Sequence, residues 1–235
     1  MPLFTDNITK LESPIDVMYL MHKVYMVVSD QTEALAATAL DGGDLAEFKA
    51  NLDVWLKHLL YHAQTEDTYM TGPLRDKQLQ DGRMPKRDNE QEHDDLREKG
   101  GNVLTLVEEA ETGLSAEAVL DMEDEEHAKL QDAVDEVGSV VSEALDEDIV
   151  RARTRRHLHQ SVMMLRVAEF DHFENEEAFV LPLVKEQMSP TEELECARRL
   201  LIDDDADDPR WIIDVIKGGL PDGEKLLIED LETKF

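Results

Sequence analysis

Two stretches of this sequence are near copies in the residues that do chemistry. The first runs His62-Ala-Gln-Thr-Glu66-Asp67-Thr-Tyr69, followed by Gly72-Pro73-Leu74; the second runs His172-Phe-Glu-Asn-Glu176-Glu177-Ala-Phe179, followed by Leu181-Pro182-Leu183. Each sets a histidine and a glutamate four residues apart, then a second acid, an aromatic residue and a proline. On a helix, positions i and i+4 stand one turn apart on one face. An imidazole nitrogen with a carboxylate oxygen is a ligand pair for a metal such as iron, manganese or zinc. One His-x-x-x-Glu pair is ordinarily a side-chain pair on a helix surface. Two pairs with matched flanks point instead to a metal held between two helices.

The elements that must position these residues read as helices, because 3.6-residue periodicity dominates and strand signals are nearly absent. Ser13-Pro14-Ile15-Asp16 is a helix start, after which Ile15, Met18, His22 and Tyr25 line one face until the stop at Gly42-Gly43. In the second helix Leu45, Phe48, Leu52, Trp55, Leu59, His62, Glu66 and Tyr69 step by three and four. His62 and Glu66 thus occupy a seam where apolar residues are expected, and a buried carboxylate needs a partner. Residues 73–87 read as a polar loop, and 88–112 as helical but interrupted at Gly100-Gly101. Ser115 caps a helix bearing His127, Leu130, Val134, Val137, Val141 and Leu145, and Asp146-Glu147-Asp148 forms a turn. The last long helix, from about 149 to 186, carries Leu158, Ser161, Leu165, Ala168, His172, Glu176, Phe179 and Leu183.

These helices predict an all-α, up-down-up-down four-helix bundle over residues 1–187, with 73–113 as a helical insertion. Residues 188–235 read as short helices in which Trp211, Ile212, Ile213, Val215 and Ile216 are too apolar for a free tail, so this appendage is expected to pack on the bundle. At ~1.5 Å rise per residue, an antiparallel hairpin brings His22 and His62 to one level. A third helix should supply one more histidine. His127 mirrors the position of His22 and suits the parity of a bundle; His93, in Asn89-Glu90-Gln91-Glu92-His93, stays open as the alternative. His58 flanks the seam, and His157 and His159 in the Arg151–Arg156 stretch read as surface residues.

Bulk properties narrow the function. The chain has 235 residues, 24 Lys+Arg against 55 Asp+Glu and a formal charge of −31, which excludes nucleic acid or an anionic membrane bound through a basic face. Hydrophobic content of 41% suits a globular domain. Cys196 is the sole cysteine, so neither an internal disulfide nor a thiolate cluster forms. Met1-Pro-Leu-Phe-Thr-Asp lacks the features of a signal peptide, and no run is apolar enough for a bilayer; the expectation is a cytoplasmic protein.

In these residues the chain resembles the hemerythrin-like, or HHE cation-binding, family, whose pattern is a histidine on helix one, His-x-x-x-Glu on helices two and four, and a histidine on helix three. Here that pattern falls on His22; His62 and Glu66; His127 or His93; and His172 and Glu176. The resemblance implies two non-haem iron ions bridged by Glu66 and Glu176, with a coordination position open to O2, NO or peroxide. It departs from the oxygen carriers, which have a His-x-x-x-His pair on helix three, where this chain has Glu123 before His127. The expected function is therefore to bind or sense a small diatomic or peroxide ligand. A di-iron enzyme, either a peroxidase-like scavenger or an iron–sulfur-cluster repair factor, is the alternative; paired N-terminal cysteines typical of the repair proteins are not seen here. A metal-free acidic adaptor is a third. A homodimer or another protein partner stays open.

Overall fold

A computed structural model describes residues 7–40, 42, 45–80, 115–146 and 150–235. His93, the break at Gly100-Gly101 and most of the Asp146-Glu147-Asp148 turn lie outside the described residues. The fold is all-α, with no strand among the described residues. A 3-10 turn, Pro14–Asp16, leads into α1 (Val17–Leu40), and α2 spans Ala46–Glu66. A π-turn, Asp67–Thr71, joins α2 to α3 (Gly72–Gln80). Among the described residues the longest helix is α4 (Ala116–Asp146). After it come α5 (Ala152–Asn175), a second π-turn (Glu176–Val180) and α6 (Leu181–Gln187). The C-terminal part holds α7 (Pro190–Leu201), α8 (Trp211–Gly219) and α9 (Asp222–Glu232).

Local chemistry sets the helix ends. Before α1, the Asp16 carboxylate accepts hydrogen bonds from the backbone N–H of Glu12 at 2.7 Å and Ser13 at 2.9 Å, so the acid serves the N-terminus and the Ser13 hydroxyl does not. The Ser115 hydroxyl accepts from Ala118 N–H at 3.1 Å at the start of α4. Ser189 and Glu192 cap α7 reciprocally, with Pro190 at its first position.

Contacts order the long helices around a shared core. Along α1 and α5, Arg155 Nη1 donates to Ala39 O at 2.6 Å, Arg166 Nη1 to Glu33 Oε2 at 2.8 Å, and His22 Nδ1 lies 3.0 Å from Glu177 Oε1. The partners run in opposite order along the two helices, so α1 and α5 are antiparallel. Between α4 and α5 the same holds: His157 pairs with Glu136 at 3.0 Å, and Asn175 donates to Glu126. The core from Ile15, Met18, Phe48, Leu52, Trp55, Val137, Leu158 and Leu165 is apolar and buried. Burial of such surface is the main stabilising term of the fold.

The C-terminal helices are not free. Ile212, Ile213 and Ile216 are buried, Tyr61 donates to Arg199 O at 2.8 Å, and Lys23 Nζ meets Glu224 Oε1 at 2.7 Å. At Gly219 an added Cβ would sit 2.7 Å from Val24 Cγ1, so α8 crosses α1 where no side chain intervenes. No described helix is long and apolar enough to cross a membrane.

Two expectations need correction, and one device explains both. Residues 72–80 are helical, where a polar loop is predicted from 73. Tyr69 and Phe179, placed on the seams by simple periodicity, are 38% and 39% exposed, while Met70, Thr71 and Val180 are buried instead. In the π-turns Gly72 N–H bonds Asp67 O and Leu181 N–H bonds Glu176 O, five residues back. Each turn thus holds one extra residue and rotates the downstream residues by roughly 100° about the helix axis. The widened turn stands ahead of Pro73 and Pro182, whose missing N–H and ring would otherwise break the helix. At Gly72 an added Cβ would lie 2.7 Å from Asp67 O, so this turn needs glycine.

Candidate metal centre

His22 on α1, His62 and Glu66 on α2, Glu123 and His127 on α4, and His172 and Glu176 at the end of α5 meet inside the helices. All but His127 and His172 are fully buried, and those two nearly so. Their donor atoms form two groups, within each of which the donors lie within 4.8 Å of one another: His22, His62, Glu66 and Glu176, and Glu66, Glu123, His127 and His172.

Glu66 belongs to both groups, and its two oxygens divide between them. Oε1 lies 2.7 Å from His62 Nε2, and Oε2 lies 3.3 Å from His127 Nε2 and 3.9 Å from His172 Nε2. Glu176 Oε2 stands 3.2 Å from His22 Nε2 and 3.9 Å from His172 Nε2, so it too faces both sides. Glu123 Oε1 is 3.2 Å from His127 Nε2. His22 Nε2 and His62 Nε2 are 3.2 Å apart. All four histidines therefore turn Nε2 inward.

His22 Nε2 and His62 Nε2 are within hydrogen-bond reach of one another, but most of the other atoms are not so paired. Both oxygens of Glu66, Glu123 and Glu176, both ring nitrogens of His172 and Nε2 of His127 are buried without a hydrogen-bond partner among the described residues. The donor atoms crowd together inside the helices. Such a cluster of buried carboxylates is costly unless positive charge offsets it.

The Nδ1 atoms of His22, His127 and His172 face a second set of acids. His22 Nδ1 meets Glu177 Oε1 at 3.0 Å, and His127 Nδ1 meets Asp67 Oδ1 at 2.8 Å. His172 Nδ1 lies 3.5 Å from Glu126 Oε2. The acid after each motif glutamate thus serves the lone histidine of another helix: Glu177, just past α5, holds His22 on α1, and Asp67, just past α2, holds His127 on α4. A carboxylate on Nδ1–H fixes the tautomer and leaves Nε2 as the donor.

The electrostatics reflect burial and these neighbours. Burial pushes His22 down, but Glu176 and Glu177 more than offset it and raise its pKa to about 10. His127 is raised in the same way, with Asp67, Glu123 and Glu66 outweighing burial. Burial lowers His62 to about 4 despite Glu66. Burial would raise Glu66, yet His62 and His127 hold it well below the usual range, while burial and the Glu66 charge raise Glu176. A further buried acid, Glu169, accepts from Trp55 Nε1 at 2.6 Å and is pushed up by burial to about 7.

Of the residues singled out in the sequence, His22, His62, Glu66, His127, His172 and Glu176 come together, and His93 lies outside the described residues. His58 does not join them: its Nδ1 bonds Val54 O at 2.6 Å and its ring packs 4.5 Å from that of Trp211. His157 is exposed, as expected. Sequence reasoning missed Glu123 as a donor. The signal was present, since Glu123-x-x-x-His127 is the motif spacing in reverse order. Compared with protein-family models, with curated proteins and with solved structures, the chain gave no match.

Proposed function

We propose that this chain is a hemerythrin-like, up-down-up-down four-helix bundle that holds two non-haem iron ions and binds or senses O2, NO or peroxide. The observation that supports it is Glu66, fully buried, with one oxygen turned to His62 in one donor group and the other to His127 and His172 in the second. His22, His62 and Glu176 would hold one ion, Glu123, His127 and His172 the other, and Glu66 would bridge. A mixed imidazole and carboxylate set suits iron. The ions, when bound, supply redox-active Lewis acidity to a small ligand.

The chain's own residues do the rest. Glu177 and Asp67 keep His22 and His127 as Nε2 donors. Phe173 stacks on His22 with ring centroids 4.0 Å apart, and with Tyr25 it closes the inner side against water. The single cysteine, Cys196, is buried and unpaired, which suits work in the cytoplasm.

The test is the metal content and visible spectrum of protein produced with iron, before and after O2 and NO. About two irons per chain and gas-dependent bands are expected. Glu66→Ala should abolish stoichiometric binding, whereas His58→Ala should leave it intact. No iron and no spectrum, or equal losses in both variants, would overturn the assignment.

A further inference from the structure

The two donor groups differ in access. His22, His62 and Glu176 are sealed, but His172 forms the floor of a cleft of about 410 Å³ between α4 and α5. His172 is 1% exposed and lines this cleft, with Nε2 turned toward Glu66 and Glu176 and Nδ1 toward Glu126. Just inside stands Glu126, whose Oε1 accepts from Asn175 Nδ2 at 2.5 Å and whose Oε2 lies 3.5 Å from His172 Nδ1. Val167, half-exposed, stands at the mouth. A smaller cleft of about 310 Å³ reaches His127, and Arg75 and Asp67 stand in its lining. There Arg75 donates to Leu120 O at 2.6 Å and pairs with Asp124, and Asp67 holds His127 Nδ1.

The charged groups lining the α4–α5 cleft are Glu126, Asp171 and Glu174 against Lys129 alone, on a chain of net charge −31. Low-dielectric walls lined by one sign of charge focus that field on whatever enters. An anion meets net repulsion from the three acids, which Lys129 offsets only in part, and an uncharged molecule does not.

We propose that the α4–α5 cleft is the route by which small uncharged molecules of the NO, O2 and hydrogen peroxide class reach the donor group of Glu123, His127 and His172, and that its acids retard anions. This rests on the iron-centre proposal above for the ligand class, while the route itself is a property of the chain.

The experiment uses iron-loaded protein and follows by stopped flow the association of NO, which is neutral, and azide, an anion of similar size. Val167→Trp should slow both about tenfold at unchanged iron content. Glu174→Gln should speed azide and Lys129→Gln should slow it, each by about two- to threefold, and neither should move NO. Raising ionic strength should shrink the azide effects. Unchanged rates for both probes in Val167→Trp, at full iron content, would overturn the route; azide indifferent to both charge variants would overturn the filter. If the protein takes up no iron, the iron-centre proposal fails and the route is read in metal-free protein. There, diethyl pyrocarbonate should modify His172 faster than His22 or His62, and Val167→Trp should slow that modification several-fold; no difference would sink the route independently.

Discussion

Glu177 Oε1 lies 3.0 Å from His22 Nδ1, and this pair has a counterpart across the centre in Asp67 and His127 at 2.8 Å. The tandem acids Glu66-Asp67 and Glu176-Glu177 therefore divide their work. The first acid of each faces inward to the converging nitrogens, and the second orients a histidine that belongs to a different helix. The arrangement ties the end of α5 to α1 and the end of α2 to α4 at the level of the site.

Removing one outer acid should weaken one ion and spare the other. Loss of such a carboxylate typically lowers metal affinity by roughly 10–100-fold. Competition titration against a chromophoric chelator should show one of two binding steps weakened in Asp67→Ala, one in Glu177→Ala, and both in the double variant. Two single variants that leave the titration of the parent unchanged would show that these acids do not position the histidines.

Metal-free protein should melt highest in acid and lose stability as pH rises through neutrality. Burial raises the Glu169 carboxyl from 4.5 to about 7, burial and Glu66 raise Glu176, and Glu176 and Glu177 override burial to raise His22 from 6.5 to about 10. A group with a raised folded pKa stabilises the fold below its unfolded pKa, and the contribution is lost as pH rises through the folded value. The two carboxyl contributions thus fade from pH 4.5 upward, through about 7 for Glu169, and that of His22 from 6.5 to about 10. In the opposite sense, burial lowers His62 from 6.5 to about 4, and its contribution is lost as pH falls through that range. Between pH 4.5 and 6.5 two carboxyl losses outweigh the single His62 gain, so the melting temperature of chelator-treated protein should peak near pH 4.5 and fall as pH rises toward 9. Iron-loaded protein should keep its stability at pH 8–9, because metal requires deprotonated ligands. A metal-free midpoint that climbs steadily from pH 6 to pH 9 would contradict this balance.

Two glycines should respond to alanine with opposite signs. At Gly72 the new Cβ meets backbone, Asp67 O at 2.7 Å, inside the turn that carries Asp67 to His127. Gly72→Ala should cost about 1–3 kcal/mol and weaken metal binding with it. Gly138 lies exposed within α4 with nothing within 4 Å of an added Cβ, so Gly138→Ala should stabilise by about 0.5–1 kcal/mol. Denaturant unfolding of the two variants measures both, and a stabilised Gly72→Ala would mean that the π-turn relaxes without strain.

Whatever depends on local periodicity was legible in the order of residues alone. The long helices, the all-α class, the buried apolar face of the C-terminal helices and the placement of His62 and Glu66 or His172 and Glu176 on one helix face all come from residue types at spacings of three and four. Local rules also identified Ser13-Pro14 and Ser115 as helix starts, because such starts are decided by a few adjacent residues.

Convergence between helices was not legible there. That Asp67 meets His127 and Glu177 meets His22 cannot be read from either motif, since each pair joins residues 60 or 155 positions apart. Tyr69 and Phe179 fall outside the core because each π-turn adds one residue and breaks the period that placed them inside. Glu123 sits in the same i, i+4 register as the motif pairs, but a carboxylate on an acidic helix is ordinarily solvated. Its full burial against His127 and near Glu66 is what distinguishes it from Glu125 or Asp124 on the same helix. Spacing along the chain fixes which side chains share a face; which faces close on one another is set by packing between helices, and that packing joins Glu66 to both groups.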